Sequence, residues 1–91
     1  MKHYYKIINI ISDVDGNFIK KYNHGSYKSY ESAQSEMSKL FDIFTTRALA
    51  DPDLKRTFLK NDKDELKFMD EVDVSSLYPN VEIQTYKIVK D

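Results

Sequence analysis

Asp13-x-Asp15-x-Asn17 has the opening spacing of a calcium loop, in which oxygen ligands at the first, third and fifth positions point at one cation. The rest of the pattern departs from it. The sixth position is Phe18 where the loop needs glycine, and the twelfth is His24 where it needs a bidentate glutamate. Asp, Gly and Asn in this order equally make a hairpin turn, which needs no metal. No metal site is expected here.

His3 and His24 flank the same segment and invite a metal or proton-transfer reading. A two-residue turn would set His24 opposite Ile7, on the face of His3 but about 13 Å further along the strand. A three-residue turn with a glycine bulge would set His24 opposite Lys6, on the other face. Neither register joins the two rings. Ser26 and Ser29, the serines nearest a histidine, suit a turn and a helix cap better than a nucleophile. Two isolated glycines cannot form a phosphate-cradling loop, and no carboxylate pair is placed across a cleft. These residues give no support for catalysis, and no cofactor is expected.

Charge distribution carries what functional signal there is. Residues 1 to 30 hold five lysines against two aspartates, whereas residues 31 to 91 hold nine cations against thirteen acids. The N-terminal segment interleaves base and ring as Lys2, Tyr4, Tyr5, Lys6, Lys20, Lys21, Tyr22, Tyr27 and Lys28. Of these, Lys2, Tyr4, Lys6, Lys20, Lys21, Tyr22 and Lys28 form a candidate nucleic-acid surface, with amines for phosphate and rings for bases. Edge-strand lysines that block aggregation and tyrosines that pack a sheet explain the same residues. A second candidate surface is acidic: Asp62, Asp64, Glu65, Asp70, Glu71 and Asp73 face only Lys63 and Lys67 over residues 62 to 73. It could engage a basic groove on a protein partner, or simply be a solvated loop and edge.

These side chains need a scaffold of 91 residues, which allows one core and a single α+β domain spanning 1–91. A core of that size leaves little room for a deep pocket. At 41% hydrophobic and 32% charged, the chain should fold in water. Its longest apolar stretch, Ile7 to Ile11 interrupted by Asn9, is too short to span a bilayer, which takes about 20 residues. The Met1 to Lys6 stretch lacks the apolar core of a secretory signal, and there is no cysteine, so a cytoplasmic location is the expectation. Twelve lysines against two arginines, with abundant Ile, Asn and Tyr, fit A/T-rich codons and a bacterial, phage or mobile-element source.

Residues 3 to 11 are apolar, β-branched and aromatic, and Asp15-Gly16 is a strong hairpin signal, with Phe18 to Asn23 returning antiparallel. Apolar residues on both faces of the first strand make it central; the lysine-rich second strand suits an edge. Ser29 caps a helix whose apolar stripe is Tyr30, Ala33, Met37, Leu40, Phe41, Phe44 and Ala48, with Glu31 complementing its dipole. Asp51-Pro52 then reads as a stop followed by a new cap, giving a short second helix over 52–60 that buries Leu54, Phe58 and Leu59 and wets Lys55, Arg56 and Lys60. At 66–70 the apolar spacing fits strand and helix alike, and a short strand is favoured. Val81 to Val89 is a strand whose apolar phase shifts between Thr85 and Tyr86, as at a bulge.

The expected fold is thus α+β in two layers. An antiparallel sheet made of the hairpin, the C-terminal strand and a fourth short strand carries one long and one short helix on a single face. The expected core is Tyr5, Ile7, Ile8, Ile10, Ile11, Phe18, Ile19, Ala33, Met37, Leu40, Phe41, Phe44, Phe58, Ile83, Tyr86 and Ile88. The functional expectation is a noncatalytic protein-binding module, an accessory or inhibitor protein, acting through the acidic surface or a sheet edge. Nucleic-acid binding by the hairpin is the alternative, and the net charge of −1 weighs against it.

Overall fold

Ser29 is extended at φ −134° and accepts a hydrogen bond from the Ser32 amide, and α1 (Tyr30–Ala50) follows it in the computed structural model. The model describes residues 4–72 and 80–90. Ala33, Met37 and Leu40 recur at the helical spacing and are buried, so one stripe of α1 seals against the sheet. The strands are β1 (Tyr5–Ser12), β2 (Phe18–Tyr27), β3 (Leu54–Asn61), β4 (Glu65–Val72) and β5 (Asn80–Lys90). They form one antiparallel sheet in the order β2-β1-β5-β4-β3. β1 is interior and β2 is an edge.

The hairpin turn is the three-residue kind. The Gly16 amide donates to the Asp13 carbonyl, the Asp13 amide donates to the Asn17 carbonyl, and Gly16 takes φ +86°, where a side chain is strained. The Asp13 carboxylate accepts from the Asp15 and Asn17 amides and from the Asn17 side chain. Those bonds, the Asn17 ones first, hold its pKa below the usual carboxylate value. The calcium-like spacing is therefore a turn. Among the described residues no group of three metal-ligating side chains converges.

The fold expected from the sequence is corrected here: the sheet has five strands and, among the described residues, one helix. Residues 52–60 do not form a second helix. The Asp51 carboxylate accepts from the Asp53 amide and its carbonyl from the Leu54 amide, so Asp51-Pro52-Asp53 is a turn that feeds β3. Leu54, Arg56 and Phe58 then share one face by alternation. Arg56, expected in water, has a side chain only 7% exposed, while Leu59, expected inside, is the unopposed residue of a bulge and is half exposed. The short strand expected at 66–70 is the eight-residue β4.

The expected bulge at Thr85/Tyr86 is absent, because β5 pairs with β1 and β4 in unbroken register there. Its apolar phase shifts for another reason. Val81 and Ile83 lie on one face of the sheet, and Tyr86 and Ile88 lie on the other, under α1.

Neither histidine register holds either, since Ile7 pairs with Gly25 and Ile8 with Asn23, leaving His24 as a bulge residue with nothing opposite. Its ring meets the edge of Tyr86 and its Nε2 lies 3.6 Å from the Glu36 carboxylate. His3 lies outside the described residues. The Tyr27 ring covers Gly25 so closely that a Cβ there would stand 2.8 Å from the tyrosine oxygen. Gly25 is thus the residue that lets Tyr27 fold back.

The core between α1 and the sheet is Ile7, Ala33, Met37, Leu40, Leu66 and Phe68, with Tyr5, Tyr27, Phe41, Phe44, Phe58, Tyr86 and Ile88 packed around them. Phe44 touches both Phe68 and Tyr86, each at 5.0 Å between ring centres, and Phe41 meets Phe58 at 5.0 Å. Phe18 and Ile19, expected inside, stand on the edge strand and are 64% and 49% exposed. Leu66 and Phe68, absent from the expected core, are among its most buried members.

Arg56 and Asp70 lie inside this core. The guanidinium donates to the carboxylate through Nε at 2.7 Å and Nη2 at 2.8 Å, and through Nη1 to the Phe44 carbonyl at 2.9 Å. Its carbon sits 4.4 Å from the Phe68 ring centre and 5.3 Å from that of Phe44. The pair ties β3 to β4 and both to the helix.

Candidate protein-binding face

α1 covers one face of the sheet, and among the described residues no element covers the other. Residues opposite one another in an antiparallel register point to the same side, so the composition of the uncovered face follows from the pairings. β1 contributes Lys6, Ile8, Ile10 and Ser12; β5 contributes Val81, Ile83, Thr85, Lys87 and Val89. β4 adds Glu65, Lys67, Met69 and Glu71, β3 adds Lys55, Thr57 and Lys60, and β2 adds Phe18, Lys21 and Asn23.

Ile8, Ile10, Ile83, Met69 and Val81 form an aliphatic stripe that crosses β1, β5 and β4. All are half-buried or better, and Ile8 is only 9% exposed. A sheet face that is meant to stay wet carries alternating polar residues instead. Contiguous apolar surface is a general feature of interaction sites, which makes this stripe a candidate.

Six lysines, at 6, 21, 55, 60, 67 and 87, share this face with two glutamates, at 65 and 71, an excess of four positive charges on a chain of net charge −1. Lys60 reaches Glu65 at 2.6 Å and Lys55 reaches Glu71 at 3.6 Å, so both acids are engaged within the face. Glu65 and then Asp62 raise the Lys60 pKa above the ordinary lysine value. Lys21, Lys67 and Lys87 have no ion-pair partner among the described residues.

The candidate residues read from sequence are distributed differently. Lys6 and Lys21 point to the uncovered face, but Lys20 and Tyr22 pair with Ile11 and Asn9 on the opposite side. Tyr4 precedes β1 at the surface, and Lys28 lies between β2 and α1. Tyr5 and Tyr27 pack toward the helix, Tyr5 against Tyr30. Alternation thus separates Lys6 and Lys21 from the rings and leaves Lys20 beside Tyr22 on the other side. Lys2 lies outside the described residues.

The acidic group is divided as well. Asp70 is buried with Arg56, Glu65 and Glu71 pair with lysines, and Asp73 lies outside the described residues. Asp62 accepts from the Asp64 and Glu65 amides in the β3–β4 turn, and those bonds hold its pKa low. Asp64 belongs to the same turn, its carbonyl accepting from the Ile88 amide. Lys67 and Lys87 were missed because their shared surface exists only once β4 and β5 are paired.

A separate cleft of about 520 Å³ lies where the first half of α1 diverges from β3 and β4, with Met37, Phe41 and Leu66 at its base and Gln34, Ser38 and Asn61 among its walls. It is broadly open. Among the described residues no buried side-chain polar atom lacks a partner, so no buried unpaired group points into the cleft.

No protein-family model, no curated protein and no solved structure matches this chain.

Proposed function

We propose that this chain is a noncatalytic protein-binding module that engages its partner through the uncovered face of the sheet. The observation that carries the reading is the aliphatic stripe of Ile8, Ile10, Ile83, Met69 and Val81 bordered by Lys21, Lys67 and Lys87. Apolar centre and charged rim are the anatomy of a protein interface. The face calls for a partner that brings apolar side chains flanked by carboxylates, because an excess of positive charge attracts acids and repels a basic surface. An accessory or inhibitor role in a bacterium or phage, in the cytoplasm, fits a small chain without cysteine.

Nucleic-acid binding has the lysines in its favour but lacks the rings. Among the described strand residues, the only aromatic that the register puts on the uncovered face is Phe18 at its corner, so the paired strands offer bases no stacking platform among the lysines.

Two assays test the reading. Capture of proteins from the encoding organism is run in parallel with the native chain and with Ile83→Glu, which places a carboxylate in the stripe. The native chain retains a protein that Ile83→Glu loses; equal recovery by both would refute the use of this face. In a low-salt shift assay, retardation of oligonucleotides that disappears on Lys67→Glu would favour nucleic acid instead.

A further inference from the structure

We infer that the occupant of the uncovered face is an acidic amphipathic helix of the partner protein, an inference that rests on the protein-binding reading above. The fold itself displays the complement: on its other face the same sheet is sealed by one helix through a narrow apolar stripe, Ala33, Met37 and Leu40. The uncovered stripe has the dimensions of a helix. β1, β5 and β4 span about 10 Å at a strand spacing near 4.8 Å, the width of one helix. From Ile8 to Val81 the stripe runs about 20 Å along the strands, the length of a helix of about 13 residues.

Charge selects among occupants. A second copy docked face to face would set six lysines against six with two glutamates on each side, a like-charged contact. This chain's own helix carries Glu31, Glu36 and Asp42 against Lys39 and Arg47, too balanced to answer that excess. A foreign helix with leucine-type residues at i, i+3, i+4 and i+7 and glutamates on both flanks meets every requirement. Its apolar row lies on Ile8, Ile10, Ile83 and Met69, one acidic flank faces Lys67 and Lys87, and the other faces Lys21.

The test uses the full chain, labelled with nitrogen-15, and three probes: a 14-residue helical peptide with a leucine stripe and glutamate flanks, its lysine-flanked counterpart, and a single-stranded oligonucleotide. The acidic peptide is expected to give saturable amide shifts centred on Ile8, Ile10, Met69 and Ile83, weakening as salt is raised. Lys67→Glu/Lys87→Glu should weaken it by about tenfold or more and give the lysine peptide new affinity. Lys67→Gln/Lys87→Gln serves where the reversed pair fails to fold, and weakens the acidic peptide by a smaller factor. Equal binding of both peptides, shifts centred on α1, tighter oligonucleotide binding, or self-association through this face would each overturn the inference. If no peptide binds while Ile83→Glu still abolishes capture of a host protein, the helix inference falls and the protein-binding reading stands. If Ile83→Glu changes no capture, the reading itself falls.

Discussion

Replacing Asp70 by asparagine leaves a guanidinium inside the core without its counter-charge. Arg56 and Asp70 have side chains 7% and 5% exposed, and three of the arginine's donors are committed, two of them to this carboxylate. Asparagine keeps one acceptor but turns an NH2 group toward the arginine's own N–H groups. Removing one partner of a buried pair costs about 3–5 kcal/mol, because the remaining charge stays desolvated. The rings of Phe44 and Phe68 offset part of that, by about 0.5–2 kcal/mol, and they already do so in the native chain. The loss is large against a total stability of about 5–14 kcal/mol for 91 residues. Urea unfolding followed by circular dichroism should show a loss of at least about 3 kcal/mol for Asp70→Asn, and calorimetry a fall in Tm of at least about 12 °C. Arg56→Met/Asp70→Leu, which removes both charges and keeps the volume, should recover most of the loss. A change below about 1 kcal/mol in Asp70→Asn, or a double variant as unstable as the single one, would refute the pair's role in holding β3, β4 and α1 together.

Phe68→Ala empties the centre of the aromatic cluster and should cost about 3–5 kcal/mol in the same urea assay. Gly16→Ala, at φ +86° with open space around its Cβ, should cost about 1–2 kcal/mol through backbone strain alone. Asp62 has its pKa lowered by the Asp64 and Glu65 amides, so its contribution is present above the ordinary carboxylate pKa of about 4 and is lost as pH falls through the lowered value. Urea unfolding across pH should therefore show Asp62→Asn less stable than the native chain near neutrality, with the gap closing in acid. Tyr86 has its pKa raised, chiefly by burial, so its contribution to stability is fully present below the ordinary tyrosine pKa near 10 and is lost as pH rises from there through the raised value. Tyr86→Phe should flatten that alkaline decline in stability.

The helix was legible because its stripe is local: Ala33, Met37 and Leu40 announce their own periodicity, and Ser29 marks where it starts. β1 was legible as an interior strand because Ile7 and Ile8, side by side, put apolar side chains on both of its faces, which an edge strand avoids. β3 was not. Leu54 and Phe58, four apart, satisfy a helix and a strand equally, and Asp51-Pro52 mimics a helix start. What decides between them is Asp70, fourteen residues beyond Arg56, which makes Arg56 an inward residue of a strand. The make-up of the uncovered face was hidden for the same reason. Lys67 and Lys87 lie twenty residues apart, and only the pairing of β4 with β5 makes them neighbours.

The most direct test of that face is site-specific photocrosslinking in the encoding organism. One crosslinking residue is placed at Thr85, in the middle of the uncovered face, and another at Ile43, exposed on the outer side of α1. A protein adduct that forms from position 85, is absent from position 43 and disappears with Ile83→Glu is the predicted result. Identical adducts from both positions, or none from position 85, would contradict it.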